Sequence, residues 1–398
     1  MSAPPPSPRS PASPGGSQRW DYLDQMRAIL MLVGIPYHVG LIYAYHATWI
    51  IESPDKSMPL TWFLQYSHTF RMPVFFLLAG FFGMLMIRRS DAATWLKGRV
   101  WRLGLPLVTA LVLVSPPIVM ASAVANGGWG HAIPGLLAAL RSPDANWTVH
   151  LWFLIYLLGY CVLLAAAWGL RGPLRLERGL QAFQDRVERH PATGWLALLG
   201  TGLVCVGSAV LAALAGASYL LGEILIPAMF VGHGLVFLAG ALLAVRLSWL
   251  EAFTRPRWGI WGLAIVSAGI MAVFQPEDDN LSRLITYFLW PIVGILFAHL
   301  LLSAARQWLD HSTALSRAMV DGAMTMYLVH VVFACWLAVG FLFVDWPAWA
   351  EFGIITVAAF LLSWGSHLLV RRSPLLMLLF NGRGSAPAGR IRLSTVTS

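Results

Sequence analysis

Apolar runs of about 20 residues, long enough to cross the hydrocarbon core of a membrane as helices, recur along the chain between short polar connections. This pattern predicts an all-α fold, a polytopic transmembrane helical bundle of about ten spans. No connection is long enough to form a soluble domain, so any chemistry belongs to the bundle or its faces. The predicted spans cover residues 24–45, 62–86, 103–125, 149–169, 194–215, 224–245, 258–274, 284–305, 322–343 and 348–370.

The two ends of the chain differ from the apolar middle. Residues 1–18 are rich in Pro, Ser, Gly and Ala, which predicts a disordered tail rather than a cleaved signal peptide. Residues 19–372 form the predicted membrane bundle, and residues 373–398 form a basic tail.

Composition agrees with this interpretation. The chain is 58% hydrophobic and 11% charged, whereas a soluble domain carries roughly 25% charged residues. The net charge of +9 does not indicate a nucleic-acid partner, because Lys and Arg concentrate in alternate connections. That bias is typical of multi-pass membrane topology and places both termini in the cytoplasm. The lipid bilayer is therefore the first predicted partner.

Three cysteines lie within apolar spans without paired spacing: Cys161, Cys205 and Cys335. This arrangement favours small packing residues over a disulfide framework or a metal site. We expect no metal and no bound cofactor.

A polar stripe runs along the first predicted span. Arg27 and His38 are eleven residues apart, which on a straight helix places them on one face and about 16 Å apart. Asp24 lies one turn below Arg27 and can pair with it. Ionisable residues within a span are costly and mark a functional site by default.

The second predicted span brings further polar residues to the same depth. His68 and Arg71 lie in the segment HTFRMP, and we expect them to meet His38 in one layer in the outer half of the membrane.

Other polar and aromatic residues have assigned depths as well. His233 reaches the depth of the first layer, and His150 is expected to cap the fourth span at the outer interface. His299 and His330 are placed in a second layer nearer the cytoplasm. A lone histidine in a membrane also serves as a helix–helix hydrogen-bonding residue, and that alternative stays open for His233, His299 and His330.

Arg99 and Arg102 lie at the mouth of the third span, in the segment KGRVWRLGLP. They have two interpretations. They can anchor the chain to the cytoplasmic surface, or they can clamp phosphate groups, whose oxygens match the arginine fork.

Several motifs resemble acyltransferase family 3, a family of membrane proteins marked by a basic residue, ten intervening positions and a histidine in the first span. Arg27 and His38 have that spacing. Similar segments are HTFRMPVFFLLAGFF (68–82), GRVWRLGLP (98–106), HLWFL (150–154) and MYLVH (326–330). Ala79 stands where many relatives carry Ser.

The resemblance implies transfer of an acyl group from a cytoplasmic acyl-CoA to a glycan hydroxyl on the periplasmic side of the bacterial inner membrane. For one branch of the family it implies transfer from succinyl-CoA to osmoregulated periplasmic glucans. His38 is then the general base or is itself acylated, and Arg71 or His68 stabilises the oxyanion. The donor would be bound by Asp24, Arg27, Arg99 and Arg102, and the acceptor pocket would include His150, Trp152, His233, Tyr327 and His330.

Three alternatives stay open at this point. The enzyme could acylate another surface glycan or a lipid-linked sugar. The chain could be a proton-coupled transporter that uses its intramembrane His and Arg residues. It could also be a lipid-linked glycosyltransferase that uses Glu52 or Asp55 in the first outer loop. The acyl group, the acceptor and the oligomeric state are likewise open.

Overall fold

The computed structural model describes residues 20–45, 49–141, 145–274 and 279–383, which form helices joined by mostly short connections. A π-helical turn at Val100–Gly104 and a 3₁₀ turn at Trp129–His131 complete these elements. The helices are α1 Asp21–Leu32, α2 Gly34–Leu41, α3 Met58–Ile87, α4 Ala92–Arg99, α5 Leu105–Leu113, α6 Ser115–Gly127, α7 Ala132–Arg141, α8 Ala145–Thr148, α9 Trp152–Gly169, α10 Leu176–Arg189, α11 Pro191–Leu214, α12 Pro227–Leu243, α13 Leu247–Phe253, α14 Trp258–Val273, α15 Asn280–Trp308, α16 Ala314–Phe341, α17 Ala348–Val370 and α18 Pro374–Asn381.

The described helices confirm an all-α membrane bundle. Seven helical segments are long and apolar enough to cross a membrane, and an eighth results if α12 and α13, bent by 115°, count as one span. Helix α14, at the seventh predicted span, has 16 residues, and the first predicted span is divided between α1 and α2. The count of ten spans therefore stays a prediction. The predicted tail 1–18 lies outside the described residues.

The first predicted span is not one straight helix. A turn at Val33 separates α1 from α2, so Arg27 and His38 lie on two helical segments, and their position on one face stays a prediction. The physical cause is Pro36, which has no N–H to donate to the carbonyl of Leu32 and whose ring crowds that carbonyl. The helical hydrogen bonding is therefore interrupted here, and His38 belongs to the second segment.

A second irregularity lies at the mouth of the third predicted span. The π-helical turn Val100–Gly104 joins α4 to α5 and contains Arg102. Pro106 follows it and cannot donate to the Arg102 carbonyl four residues earlier. One widened turn accommodates this missing hydrogen bond.

The close crossing of α3 and α12 lies at the centre of the bundle. A Cβ added to Gly80 would lie 1.9 Å from the carbonyl oxygen of Phe237, and one added to Gly240 would lie 1.8 Å from that of Leu77. Each glycine thus admits the backbone of the other helix. Small residues allow this approach, and packing between backbones is a main source of helix association in lipid.

The last described helix returns to the bundle. Ser373 caps α18 by accepting a hydrogen bond from the Leu376 N–H, and the helix contacts α5, α16 and α17. Asn381 at its end donates a hydrogen bond of 3.0 Å from Nδ2 to Thr325 Oγ1. The segment predicted as a C-terminal tail therefore begins with a packed helix, while residues 384–398 lie outside the described part.

The glycine crossing gives a stability prediction. Gly240→Ala forces the helices apart, so we expect the free energy of unfolding to fall by about 1–3 kcal/mol. Gly269→Ala is the matched control, because its new Cβ meets no atom within 4 Å. Thermal denaturation of the purified protein in detergent measures both variants, and equal midpoints would contradict the described crossing.

Candidate active site

A hydrogen bond between two buried histidines forms the centre of the site. His38 Nδ1 on α2 lies 2.9 Å from His330 Nε2 on α16, although the residues are 292 positions apart. His330 Nδ1 lies 2.7 Å from the Tyr327 carbonyl oxygen, which can only accept, so this nitrogen carries the proton. In a neutral ring, Nε2 of His330 is then the acceptor. His38 Nδ1 lies 2.8 Å from the Gly34 carbonyl oxygen as well.

These contacts assign the tautomer of His38. Both neighbours of its Nδ1, the Gly34 carbonyl and His330 Nε2, are acceptors, so Nδ1 carries the hydrogen. Nε2 of His38 is left with its lone pair free. A nitrogen in this state can take a proton, which is the requirement for a general base.

The placement of His330 in a lower layer is wrong. The predicted span starts at residue 322, whereas α16 starts at Ala314. The eight additional residues move His330 about 12 Å farther from the start of its helix. It therefore reaches the layer of His38.

His150 is also placed differently from the prediction. The prediction places it at the outer interface, whereas its side chain is buried, with 3% exposed. Its ring centroid lies 5.8 Å from that of His38 and 5.2 Å from that of His330. Tyr327 donates a hydrogen bond from its hydroxyl to the His150 carbonyl oxygen. Val149, the preceding residue, has a positive φ of 43°, so the backbone takes a left-handed conformation there before α9 begins.

Arg71 on α3 lies beside the histidine pair as a buried cation that pairs with no carboxylate among the described residues. It is 6% exposed, and its guanidinium carbon lies 4.1 Å from the Tyr37 ring centroid. A Cβ added to Gly34 would lie 2.9 Å from an Arg71 terminal nitrogen and 3.9 Å from both His38 Nδ1 and His330 Nε2. Arg71 Nε has no hydrogen-bond partner among the described residues. The arrangement suits an anion that arrives with a substrate or forms during a reaction.

His68 and His233 belong to an adjoining aromatic wall. His68 Nδ1 lies 2.9 Å from the Tyr37 hydroxyl oxygen, and its ring contacts that of Trp290 at a centroid distance of 5.3 Å. Trp290 donates a hydrogen bond from Nε1 to His233 Nδ1 at 3.4 Å. Trp152 stacks on His233 at 5.8 Å. His68 is thus connected to the histidine pair through Tyr37, the neighbour of His38.

The predicted donor residues lie together at the other end of the first predicted span. Arg27 pairs with Asp24 at 3.7 Å, as expected. Arg99 lies over the ring of Trp95 and contacts the sulfur of Met86. Arg102 is exposed on the π-helical turn. These side chains leave a positively charged surface around the start of α1.

Three further residues were missed from the sequence. Trp49, in the loop before α3, stacks on His38 with a centroid distance of 5.6 Å. Tyr37 contacts both Arg71 and His68, and Trp290 connects His68 to His233. The adjacency of Tyr37 to His38 was a usable signal. Trp49 and Trp290 looked like ordinary interfacial or apolar tryptophans.

His299 is not part of the site. Its Nδ1 donates to the Phe253 carbonyl oxygen at 2.6 Å, which joins α15 to α13. The three cysteines are free and buried. Within the described ranges, no group of three or more His, Cys, Asp or Glu side chains is placed to hold a metal ion.

Comparison with known proteins identifies the class to which this bundle and site belong. Residues 20–368 match acyltransferase family 3, described as an acyltransferase domain, so the chain belongs to this family of acyltransferases. The family predicted from the sequence motifs is therefore confirmed.

The matches to individual curated proteins cover a smaller part of the chain than the family match does. Glucans biosynthesis protein C from Escherichia coli strain K12, from strain O1:K1 / APEC and from strain HS is 40% identical to the chain over 148 residues. The matched region covers 36% of this chain and 38% of those relatives. No solved structure matches the chain.

The burial of the Arg71 charge gives a prediction about stability. Burying a cation is costly because it loses its hydration, and well-packed apolar residues that replace buried ion pairs often improve stability by about 1–4 kcal/mol. We expect Arg71→Met to raise the thermal midpoint. Arg88→Met is the control, because Arg88 donates to the Val245 carbonyl at 2.8 Å and pairs with Glu177 at 3.8 Å. We expect this control to lower the midpoint, and a lower midpoint for Arg71→Met would show that Arg71 is structurally compensated.

Proposed function

We propose that the protein is an O-acyltransferase of the bacterial inner membrane that transfers a succinyl group from succinyl-CoA to hydroxyls of periplasmic glucans. Ten spans with both termini in the cytoplasm would give it access to both substrates. The observation that carries the proposal is the hydrogen bond from His38 Nδ1 to His330 Nε2, which leaves His38 Nε2 free to accept a proton. The printed name of the E. coli relatives, glucans biosynthesis protein C, supports a glucan acceptor.

In the proposed first step, His38 Nε2 takes the proton of the acceptor hydroxyl. The hydroxyl oxygen attacks the thioester carbonyl carbon, and the carbonyl electron pair moves to oxygen. His330 accepts the Nδ1–H of His38 and stabilises the imidazolium that forms, as the orienting partner does in other histidine bases. Because His330 acts through His38, it is a positioning residue.

In the second step, the tetrahedral intermediate collapses. Arg71 stabilises its oxyanion, because a cation already placed in a water-poor site needs no reorganisation. The C–S bond then breaks, and the coenzyme thiolate takes the proton held on His38 Nε2. The ester and the free coenzyme leave, and both histidines return to their starting state.

The two substrates are assigned to opposite ends of the site. The phosphates of the donor would contact Arg99, Arg102 and Arg27, the last held by Asp24. The sugar acceptor would meet the aromatic wall of Trp152 and His233. His150 and Tyr327 lie behind the histidine pair and support it.

His38→Ala should lower acyl transfer by about 10²–10⁴-fold, because a general base contributes that factor. Release of coenzyme thiol from succinyl-CoA in the presence of purified glucan measures the rate. His131→Ala, at an exposed histidine of the 3₁₀ turn, is the control for loss of an imidazole. Full turnover by the His38 variant at normal protein abundance would refute the assignment.

His330→Ala should lower kcat roughly 10²-fold through misplacement of the base, with little change in KM. His330→Gln keeps an acceptor oxygen for the His38 Nδ1–H and should recover part of the rate. A purely structural role predicts instead that both variants fail together and that KM changes with kcat.

Deletion of the gene should remove one class of modified glucans from the periplasm. Mass spectrometry should show loss of species heavier by one succinyl group and carrying extra negative charge. Complementation with wild-type protein should restore these species, and the His38→Ala variant should not. Unchanged glucans after deletion would exclude this acceptor.

A further inference from the structure

The C-terminal helix α18 brings an additional arginine to the proposed donor mouth. Gly382 ends this helix with a positive φ of 60°. A Cβ added there would lie 2.5 Å from Arg102 Cα and 2.6 Å from the Trp101 carbonyl oxygen. The backbone at Gly382 therefore lies directly on the π-helical turn, and Arg383 follows immediately.

The end of α18 that carries Arg383 is hydrogen-bonded to the bundle. Ser373 caps the beginning of the helix. At its end, Asn381 donates to Thr325 Oγ1 at 3.0 Å, and Thr325 is fully buried in α16. Arg383 is thus attached to an anchored helix, although its own side chain is exposed.

Positive charge accumulates where Arg383 arrives. Arg383 interacts electrostatically with Arg27 and Arg102, and Arg99 interacts with all three. The acids that interact with Arg383 are Asp24, already paired with Arg27, and Asp321. Loss of solvation, together with repulsion from Arg102 and Arg27, lowers the pKa of Arg383. Four guanidinium groups facing two carboxylates favour an anionic ligand.

We propose that Arg383 is part of the binding site for the phosphate groups of coenzyme A and completes the mouth formed by Arg27, Arg99 and Arg102. Guanidinium groups bind phosphate oxygens in bidentate geometry, and several converging forks suit a ligand that carries more than one phosphate. Arg383 lies beyond residues 20–368 that match the family, so family membership assigns it no role. The inference rests on the proposed use of an acyl-CoA donor.

Binding of coenzyme A and of pantetheine to the full-length protein in phosphatidylcholine nanodiscs tests the inference. Pantetheine has the thiol arm of coenzyme A but no phosphates. We expect Arg383→Ala to weaken coenzyme A binding by about tenfold, the effect of one lost hydrogen bond to a charged group, and to leave pantetheine binding unchanged. Arg383→Lys should recover part of the affinity.

Arg372→Ala is the matched control, because it removes the same charge from an exposed position at the end of α17. We expect it to bind coenzyme A as the wild type does. Equal coenzyme A affinity for Arg383→Ala and wild type, or equal losses for coenzyme A and pantetheine, would overturn the inference.

Anionic lipid headgroups present the same phosphate chemistry, so the measurements are repeated with phosphatidylglycerol in the nanodiscs. A lipid site would appear as a phosphatidylglycerol-dependent change in stability for Arg383→Ala with unchanged coenzyme A affinity, and it would overturn the inference. If the wild-type protein turns over succinyl-CoA and the Arg383→Ala variant keeps full affinity for coenzyme A, only the role of Arg383 is rejected. If the wild-type protein neither binds coenzyme A nor releases the coenzyme thiol from succinyl-CoA, the proposed function itself is rejected.

Discussion

The backbone contact between α3 and α12 is the constraint on which the arrangement of the site depends. Gly80 and Gly240 let the two helices approach until each meets a carbonyl of the other. Between helices in lipid the hydrophobic effect contributes little, so such close packing provides much of the cohesion. Because α3 carries Arg71 and α12 carries His233, the same contact fixes the histidine layer against its aromatic wall. The helix crossing that holds the bundle together therefore also positions the residues of the proposed site.

The positions of the helices were accessible from the sequence, because length and apolarity decide what crosses a membrane. Depth within the bundle was less accessible. Depth is counted from a helix end, and an error of eight residues at the start of α16 placed His330 one layer too low. The position of His150 was also predicted wrongly, because the positive φ of Val149 just before it could not be foreseen from the sequence. The break at Val33 had a local signal in Pro36, since a proline within an apolar run interrupts a helix.

Some residues of the proposed site could be predicted from the sequence and others could not. His38, His68 and Arg71 were predicted as one layer because ionisable residues are rare in spans, and the structure brings Arg71 beside His38 and connects His68 through Tyr37. That none of the described acids pairs with Arg71 could not be predicted, because it depends on residues from several helices. Trp49 was missed for the opposite reason, since a tryptophan near a span end has an ordinary interfacial explanation.

The late position of α18 has a consequence for biosynthesis. Arginines from α1, α4 and the π-helical turn leave the ribosome early, whereas Arg383 follows 281 positions after Arg102. The cationic cluster is therefore completed only after helices α1 to α17 have been synthesised.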